Sequence, residues 1–127
     1  MAKRQSIYTD SFAHTNPIPA ACRMGPLLMT GIVNGIDPDK PDQPGSFDQQ
    51  CAKMFARVRD IMSAAGGSTD HIVKLNVAVT DVTQRAAINS EWVKMFPDPH
   101  NRPVRHTVQA ELDRGKLIQC DIIAWIE

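Results

Sequence analysis

The chain has no excess of either charge. Its 14 lysines and arginines balance 14 aspartates and glutamates over 127 residues. Strong nonspecific attraction to nucleic acid or to an anionic membrane needs surplus positive charge, so the composition argues against both. Aromatic residues make up 6% of the chain and no basic stripe accompanies them, which removes the usual platform for stacking single-stranded bases. No apolar run is long enough to span a bilayer, and the basic start from Met1 to Ser6 leads into no apolar stretch, so neither a membrane segment nor a signal peptide is expected. Cysteines are scarce: Cys22, Cys51 and Cys120 are far apart, odd in number and without zinc spacing. They suit a reducing compartment, and a cytoplasmic protein is expected. The histidines, His14, His71, His100 and His106, fall in no ligand pattern, so no metal site and no cofactor are expected. Internal repeats and low-complexity tracts are also absent.

What remains has the size of one domain, residues 1–127, able to bury roughly two-thirds of its unfolded surface. Lys3 to Thr9 reads as a short edge strand, and Ser11 to Pro19 is irregular because Pro17 and Pro19 break regular structure. Ala20 to Met24 and Leu27 to Val33 read as strands joined at Gly25-Pro26. Pro38, Pro41 and Pro44 make Gly35 to Gly45 a loop. Ser46 and Gln49 then form an S-x-x-Q capping box, with Asp48 in the first turn where a carboxylate is favoured. Cys51, Met54, Phe55, Val58, Ile61, Met62 and Ala65 recur at helical spacing, and Gly66-Gly67 ends that helix. Val73, Leu75, Val77 and Val79 alternate as in a strand. Asp81 is positioned to cap a second helix, with Ile88, Asn89, Trp92, Val93 and Phe96 as its inner face and Pro97 as its stop. The order predicts an α+β fold: a mixed sheet with two helices packed on one face. The other sheet face also carries apolar residues, and an oligomer would cover it.

The most informative stretch is Arg102-Pro103-Val104-Arg105-His106-Thr107-Val108. Pro103 lacks a ladder donor and so marks a strand's entry. Beyond it Val104, His106 and Val108 alternate with Arg105, Thr107 and Gln109, which places Arg105 on the face opposite the valines. A guanidinium there presents a planar fork of donors to a carboxylate. Lys116 to Ile126 is a further strand, with Gln119 and Asp121 on one face and Cys120, Ile122, Ala124 and Ile126 on the other. The turn Leu112 to Gly115 predicts that the two strands form a hairpin, with Arg105 and Asp121 flanking one small cavity.

Arg102-Pro103-Val104-Arg105 followed by the final Asp121-Ile122-Ile123-Ala124 strand resembles the C-terminal signature of the RidA/YjgF family of enamine/imine deaminases. Gly25 to Gly31, Gly66 to Val77, and Asp81-Val82, Asn89 and Phe96 resemble that family's early strand, helix-to-strand joint and second helix. The resemblance covers most of the chain in the family's order. It implies a chorismate-mutase-like fold, a homotrimer with sites in clefts between subunits, and hydrolysis of 2-enamine or 2-imine carboxylic acids to 2-keto acids and ammonia. It makes Arg105 the carboxylate anchor and places backbone near Thr107 against the substrate. Asp121 stands where the family often has a glutamate that orients or activates water. A partly buried acid can work as general acid or base. The departures are specific: Ile18 stands where the family usually has tyrosine, Gly31-Ile32 where it has Ser-Gly, Asp121 where it has the longer glutamate, and Thr107 where it often has cysteine. Those changes predict a substrate other than the small one typical of the family.

Taken alone, Arg105 and Asp121 also fit plain interface or strand-edge ion pairs, Trp92 and Phe96 fit core packing, and Asn89 fits a bond to backbone. Three functions follow: a deaminase with Arg105 and Asp121 as catalytic residues and Arg105, Thr107, Ile18, Gly31 and Ile32 as substrate-binding residues; a non-catalytic trimer that holds small carboxylates or keto acids; and an endoribonuclease, disfavoured by the charge balance. The last is tested by titrating the protein against single-stranded RNA at increasing salt. The expected outcome is no salt-dependent affinity, and a steep slope would restore the nucleic-acid reading.

Overall fold

The structure is a computed structural model, and it describes residues 3–127. Its strands are β1 (Arg4–Ile7), β2 (Ala21–Met24), β3 (Leu27–Thr30), β4 (Val33–Asn34), β5 (Ile72–Val79), β6 (Val104–Gln109) and β7 (Ile118–Trp125), and its helices are α1 (Phe47–Ala64) and α2 (Ala86–Met95). They form one mixed sheet in the order β1-β2-β3-β7-β5-β6, with β4 continuing beside β7. Among the described residues only β5 and β6 are parallel neighbours; the other pairs are antiparallel. This is the mixed sheet with two helices on one face that the element order predicts.

Helix α1 begins as its sequence dictates. Ser46 accepts from the Gln49 backbone N–H while the Gln49 side chain accepts from the Ser46 N–H. At the other end Gly66 takes φ +82°, and Gly67 N–H reaches back to the Met62 carbonyl. That left-handed turn is cheap for glycine and satisfies carbonyls the helix cannot. Arg23 adds a bond from Nη1 to the Ala65 carbonyl at 2.6 Å. The inner stripe Cys51, Met54, Phe55, Val58, Ile61 and Met62 is buried against Leu28, Val33, Leu75, Val77, Ile122 and Ala124. Each large side chain so buried contributes about 1.5–3 kcal/mol.

Helix α1 also seats itself backbone to backbone. A Cβ on Gly35 would lie 1.9 Å from the Gln50 carbonyl oxygen, so only glycine lets the helix come this close to the end of β4. Gln50 itself is fully buried and fully used. Its Nε2 donates to the Gly45 and Gly115 carbonyls at 3.2 and 3.0 Å, and its Oε1 accepts from Leu117 N–H at 2.9 Å.

Several expectations are corrected. The strands around Arg105 and Asp121 do not form a hairpin, because β5 lies between β6 and β7. Ala110 N–H bonds the Val79 carbonyl and Thr80 N–H bonds the Leu117 carbonyl, so the connecting loop steps over the end of β5. The expected strand from Leu27 to Val33 is two strands. Their register against β7 shifts by one residue between Met29↔Ile123 and Val33↔Cys120, and the Thr30 hydroxyl takes the Ile122 N–H at 3.0 Å. Val73 is exposed because a bulge between Ile72 and Lys74 breaks the alternation, so Ile72 takes the inner position. Asp81 does not cap α2. It closes a turn by accepting from Thr83 N–H and Oγ1, five residues before that helix. On α2 the buried residues are Ile88 and Met95, with Phe96 just beyond; Trp92 is half-buried, and Asn89 and Val93 are exposed.

The segment before β2 is held by a stack. Phe12 lies edge-on to His14, with ring centroids 4.9 Å apart, and the Arg57 guanidinium sits 5.2 Å from the Phe12 ring. Arg57 Nη1 donates to the Asn34 and Ile36 carbonyls. Burial, and secondarily the charge of Lys116, lowers the pKa of His14, whose Nε2 is buried without a partner.

Two outcomes follow. Gly35→Ala forces a methyl into helix backbone that cannot move aside, and a stability loss of about 3 kcal/mol is expected in urea unfolding. His14 is neutral in both states above its unfolded pKa of about 6.5. As pH falls below that, the unfolded chain binds a proton that the native site resists, so stability is lost until the lowered native pKa is passed. Thermal melts from pH 7.5 to 5 should show this loss, and His14→Asn should remove part of it.

Candidate functional site

The sheet has two faces, and the residues with chemistry divide between them. In a parallel pair, residues in register share a face, so Arg105 beside Leu75 and Thr107 beside Val77 point toward the helices. Arg105 is half-buried there under α2. Its Nη2 donates to Asn89 Oδ1 at 2.7 Å, and its guanidinium carbon lies 5.0 Å from the centroid of the Trp92 ring. Its Nη1 is buried with no hydrogen-bond partner. Among the described residues no carboxylate pairs with it. Burial lowers its pKa first and nearby Arg85 adds to this, while Cys51 acts in the opposite sense. An arginine stays charged under such shifts. The result is a cation fixed by an amide and a ring, with one buried donor unused.

Asn89 and Trp92 are the site residues that sequence reasoning placed elsewhere. Asn89 was expected to bond backbone but accepts from Arg105, and Trp92 was expected in the core but forms the surface on which Arg105 lies. Their spacing of three on one helix was a usable signal, since i and i+3 lie on one side. Beneath them, burial pushes the Cys51 thiol up to about 12, so it is a packing group and not a nucleophile.

Asp121 lies on the opposite face, and this overturns the expectation that it shares a cavity with Arg105. It pairs in register with Asn76, which pairs in turn with His106. The three form one row across β7, β5 and β6. Asn76 Nδ2 donates to Asp121 Oδ2 at 3.0 Å. A depression of about 100 Å³ is lined by this row together with Gln119, Ile32 and Val108. Ile32 reaches it because of the register shift between β3 and β4.

The other expected residues are placed as follows. Gly31 leaves room for His14, whose Nε2 is 3.3 Å from where a Cβ would stand. Ile18 is exposed in the segment before β2. Thr107 is half-buried on the Arg105 side. Among the described residues no group of three or more histidine, cysteine, aspartate or glutamate side chains is arranged to hold a metal ion, and no helix is long and apolar enough to cross a membrane. Around the depression the open face is apolar, with Leu27, Met29, Val104, Val108 and Trp125 all exposed.

This architecture has known counterparts. A family model described as Endoribonuclease L-PSP matches residues 8–126. A RutC family protein of Haemophilus influenzae is 28% identical over 124 residues, covering 94% of this chain and 95% of that one. An Escherichia coli protein named "Putative reactive intermediate deaminase TdcF" is 31% identical over 104 residues, 80% of each chain. The crystal structure of RidA from an Antarctic Psychrobacter species superimposes with a TM-score of 0.85 at 30% identity, covering 96% of this chain and 99% of that one. Some fungal relatives are named as mitochondrial, and the matches span 66% and 59% of two of them. With a family model spanning nearly all of the sheet and both helices, the chain belongs to the RidA/YjgF family.

Proposed function

We propose that the protein is an enamine/imine deaminase that hydrolyses 2-enamine or 2-imine carboxylic acids to 2-keto acids and ammonia. The observation that carries this reading is the buried, unused Nη1 of Arg105. No carboxylate among the described residues pairs with this half-buried guanidinium, and once a small turn of the side chain brings Nη1 to the surface a substrate carboxylate would satisfy it with a charge-assisted bond. The relative named as a reactive intermediate deaminase supports the same chemistry.

Arg105 and Asp121 lie on opposite faces of one sheet, so a single small acid cannot touch both in one protomer. The working site therefore takes Arg105 from one copy and Asp121 from a neighbour. A homotrimer with inter-subunit clefts meets that need, and the apolar open face supplies the surface it would bury. In the cleft Arg105 anchors the carboxylate, backbone at Thr107 lies against the substrate, and Asp121 orients the attacking water. Asp121 is tethered at Oδ2 by Asn76, which leaves Oδ1 for that water. Ile32, and Ile18 in the segment before β2, present aliphatic surface in place of polar groups, which favours a substrate with a larger apolar side chain. The whole chain acts as one such domain, and three free cysteines suit a cytoplasmic setting.

The test is ammonia and keto-acid release from enamines generated in situ from small and bulky amino acids. The wild type is expected to accelerate release, with preference for the bulkier apolar substrates. Arg105→Ala is expected to lower kcat/KM by about 100-fold, the scale of losing a buried charge-assisted contact. If neither protein differs from buffer across the series, the catalytic reading is replaced by a trimer that only binds small carboxylates, detectable as thermal stabilisation by keto acids.

A further inference from the structure

Hydrolysis of an enamine needs a proton for carbon as well as a base for water, and one acid cannot easily serve both at once. The depression on the open face contains a second group suited to the first task. His106 lies in the same transverse row as Asp121, with Asn76 between them in register with both. All three line the same small concavity with Ile32, Val108 and Gln119. Asn76 Nδ2 donates to Asp121 Oδ2, which fixes the carboxylate's orientation. Exposed apolar residues Leu27, Met29, Val104, Val108 and Trp125 share this face, and the row Asp121-Asn76-His106 sets polar groups side by side among them.

We propose that His106 is the proton donor to the substrate carbon, and that Asn76, on the strand between them, holds Asp121 as the base for water. The inference rests on the deaminase reading and adds the residue that reading lacks. The steps balance. The His106 imidazolium gives its proton to C3 of the enamine; the C=C electron pair forms the new C–H bond, and the nitrogen becomes an iminium. Water adds to C2 and its proton passes to Asp121. The protonated Asp121 then delivers that proton to nitrogen, ammonia leaves as the C2–O double bond forms, and the hydroxyl proton returns to His106. Both residues end as they began. The charged groups facing His106 on this side are Asp121 on β7 and Lys74 on β5, and among the described residues no strand lies beyond β6. An imidazole carries both a donor and an acceptor nitrogen, which suits a group that must give and regain a proton each turnover.

His106 is exposed on an edge strand, so His106→Gln should not endanger folding. Its side chain also points away from Arg105, so the carboxylate anchor is undisturbed. Steady-state kinetics on the preferred enamine should show kcat reduced about 100-fold with KM little changed, and loss of the limb of the pH–rate profile that a titrating imidazole contributes. A second readout is stereochemical. In deuterium oxide, with a four-carbon enamine and immediate reductive trapping of the keto acid, the wild type should deuterate C3 on one face. His106→Gln should deuterate both faces equally. Asn76→Ala should lower kcat while keeping facial selectivity. A wild type that turns over while His106→Gln keeps its rate, pH profile and selectivity overturns the role of His106 and leaves the deaminase reading standing. A wild type with no turnover on any enamine overturns both.

Discussion

The fold depends on one buried amide. Gln50 ties the start of α1 to the loop before it through Gly45, and to the approach to β7 through Gly115 and Leu117. These are three hydrogen bonds made out of contact with water, where an unmatched group would cost about 1–3 kcal/mol. They work only because Gly35 admits the helix backbone to contact distance. Together the two residues fix α1 against β4 and deliver β7 into the middle of the sheet. Once β7 pairs β3, β4 and β5, the only position left for β6 is the outer edge beside β5. The edge position of Arg105 is thus a consequence of packing some distance away.

That sequence of constraints explains which parts of the structure could be read from residue order. The capping box at Ser46, the stripe from Cys51 to Met62 and the glycine stop at Gly66 are local, and each appears where the sequence puts it. The alternation in β6 and β7 also predicts correctly which residues share a face within each strand. Pairing between strands is not local. A turn of suitable length between β6 and β7 suggested a hairpin, but such a loop can equally step over a strand end, and the hydrogen bonds at Val79 and Thr80 make it do so. The pairing also decides the site, because facing within a strand says nothing about which side of the finished sheet two strands share. Bulges at Val73 and at Gly31-Ile32 are invisible to alternation for the same reason: each inserts one residue and inverts the pattern beyond it.

The surroundings of Arg105 show how a cation can be held without a counter-ion at little structural cost. Full ion pairing inside the protomer would leave Arg105 unable to bind a substrate acid, and full burial without partners would be prohibitive. The observed arrangement lies between these limits. Asn89 accepts from one nitrogen, Trp92 offers the face of a ring, and one donor is withheld. A neutral amide and a ring fix the direction of the guanidinium without neutralising it. Lysine could not replace it, since neither the planar stack nor the two-pronged geometry survives in a compact ammonium.

Aspartate rather than glutamate at position 121 changes more than reach. A shorter carboxylate on β7 stays close to the sheet surface, within bonding distance of Asn76 on the adjacent strand, and it is held there. Fixing the acid narrows the position of any water it activates, which raises the demand on the rest of the concavity to bring the substrate to that water. Ile32 and Val108 line the same concavity and can do this only through apolar contact. The same sheet face must also accept a neighbouring copy if Arg105 and Asp121 are to meet. If the proposed cleft forms, assembly and substrate selection draw on one surface, so a substitution at Ile32 or Val108 chosen to change specificity will also alter subunit affinity, and the two effects separate only when activity is measured over a range of protein concentrations.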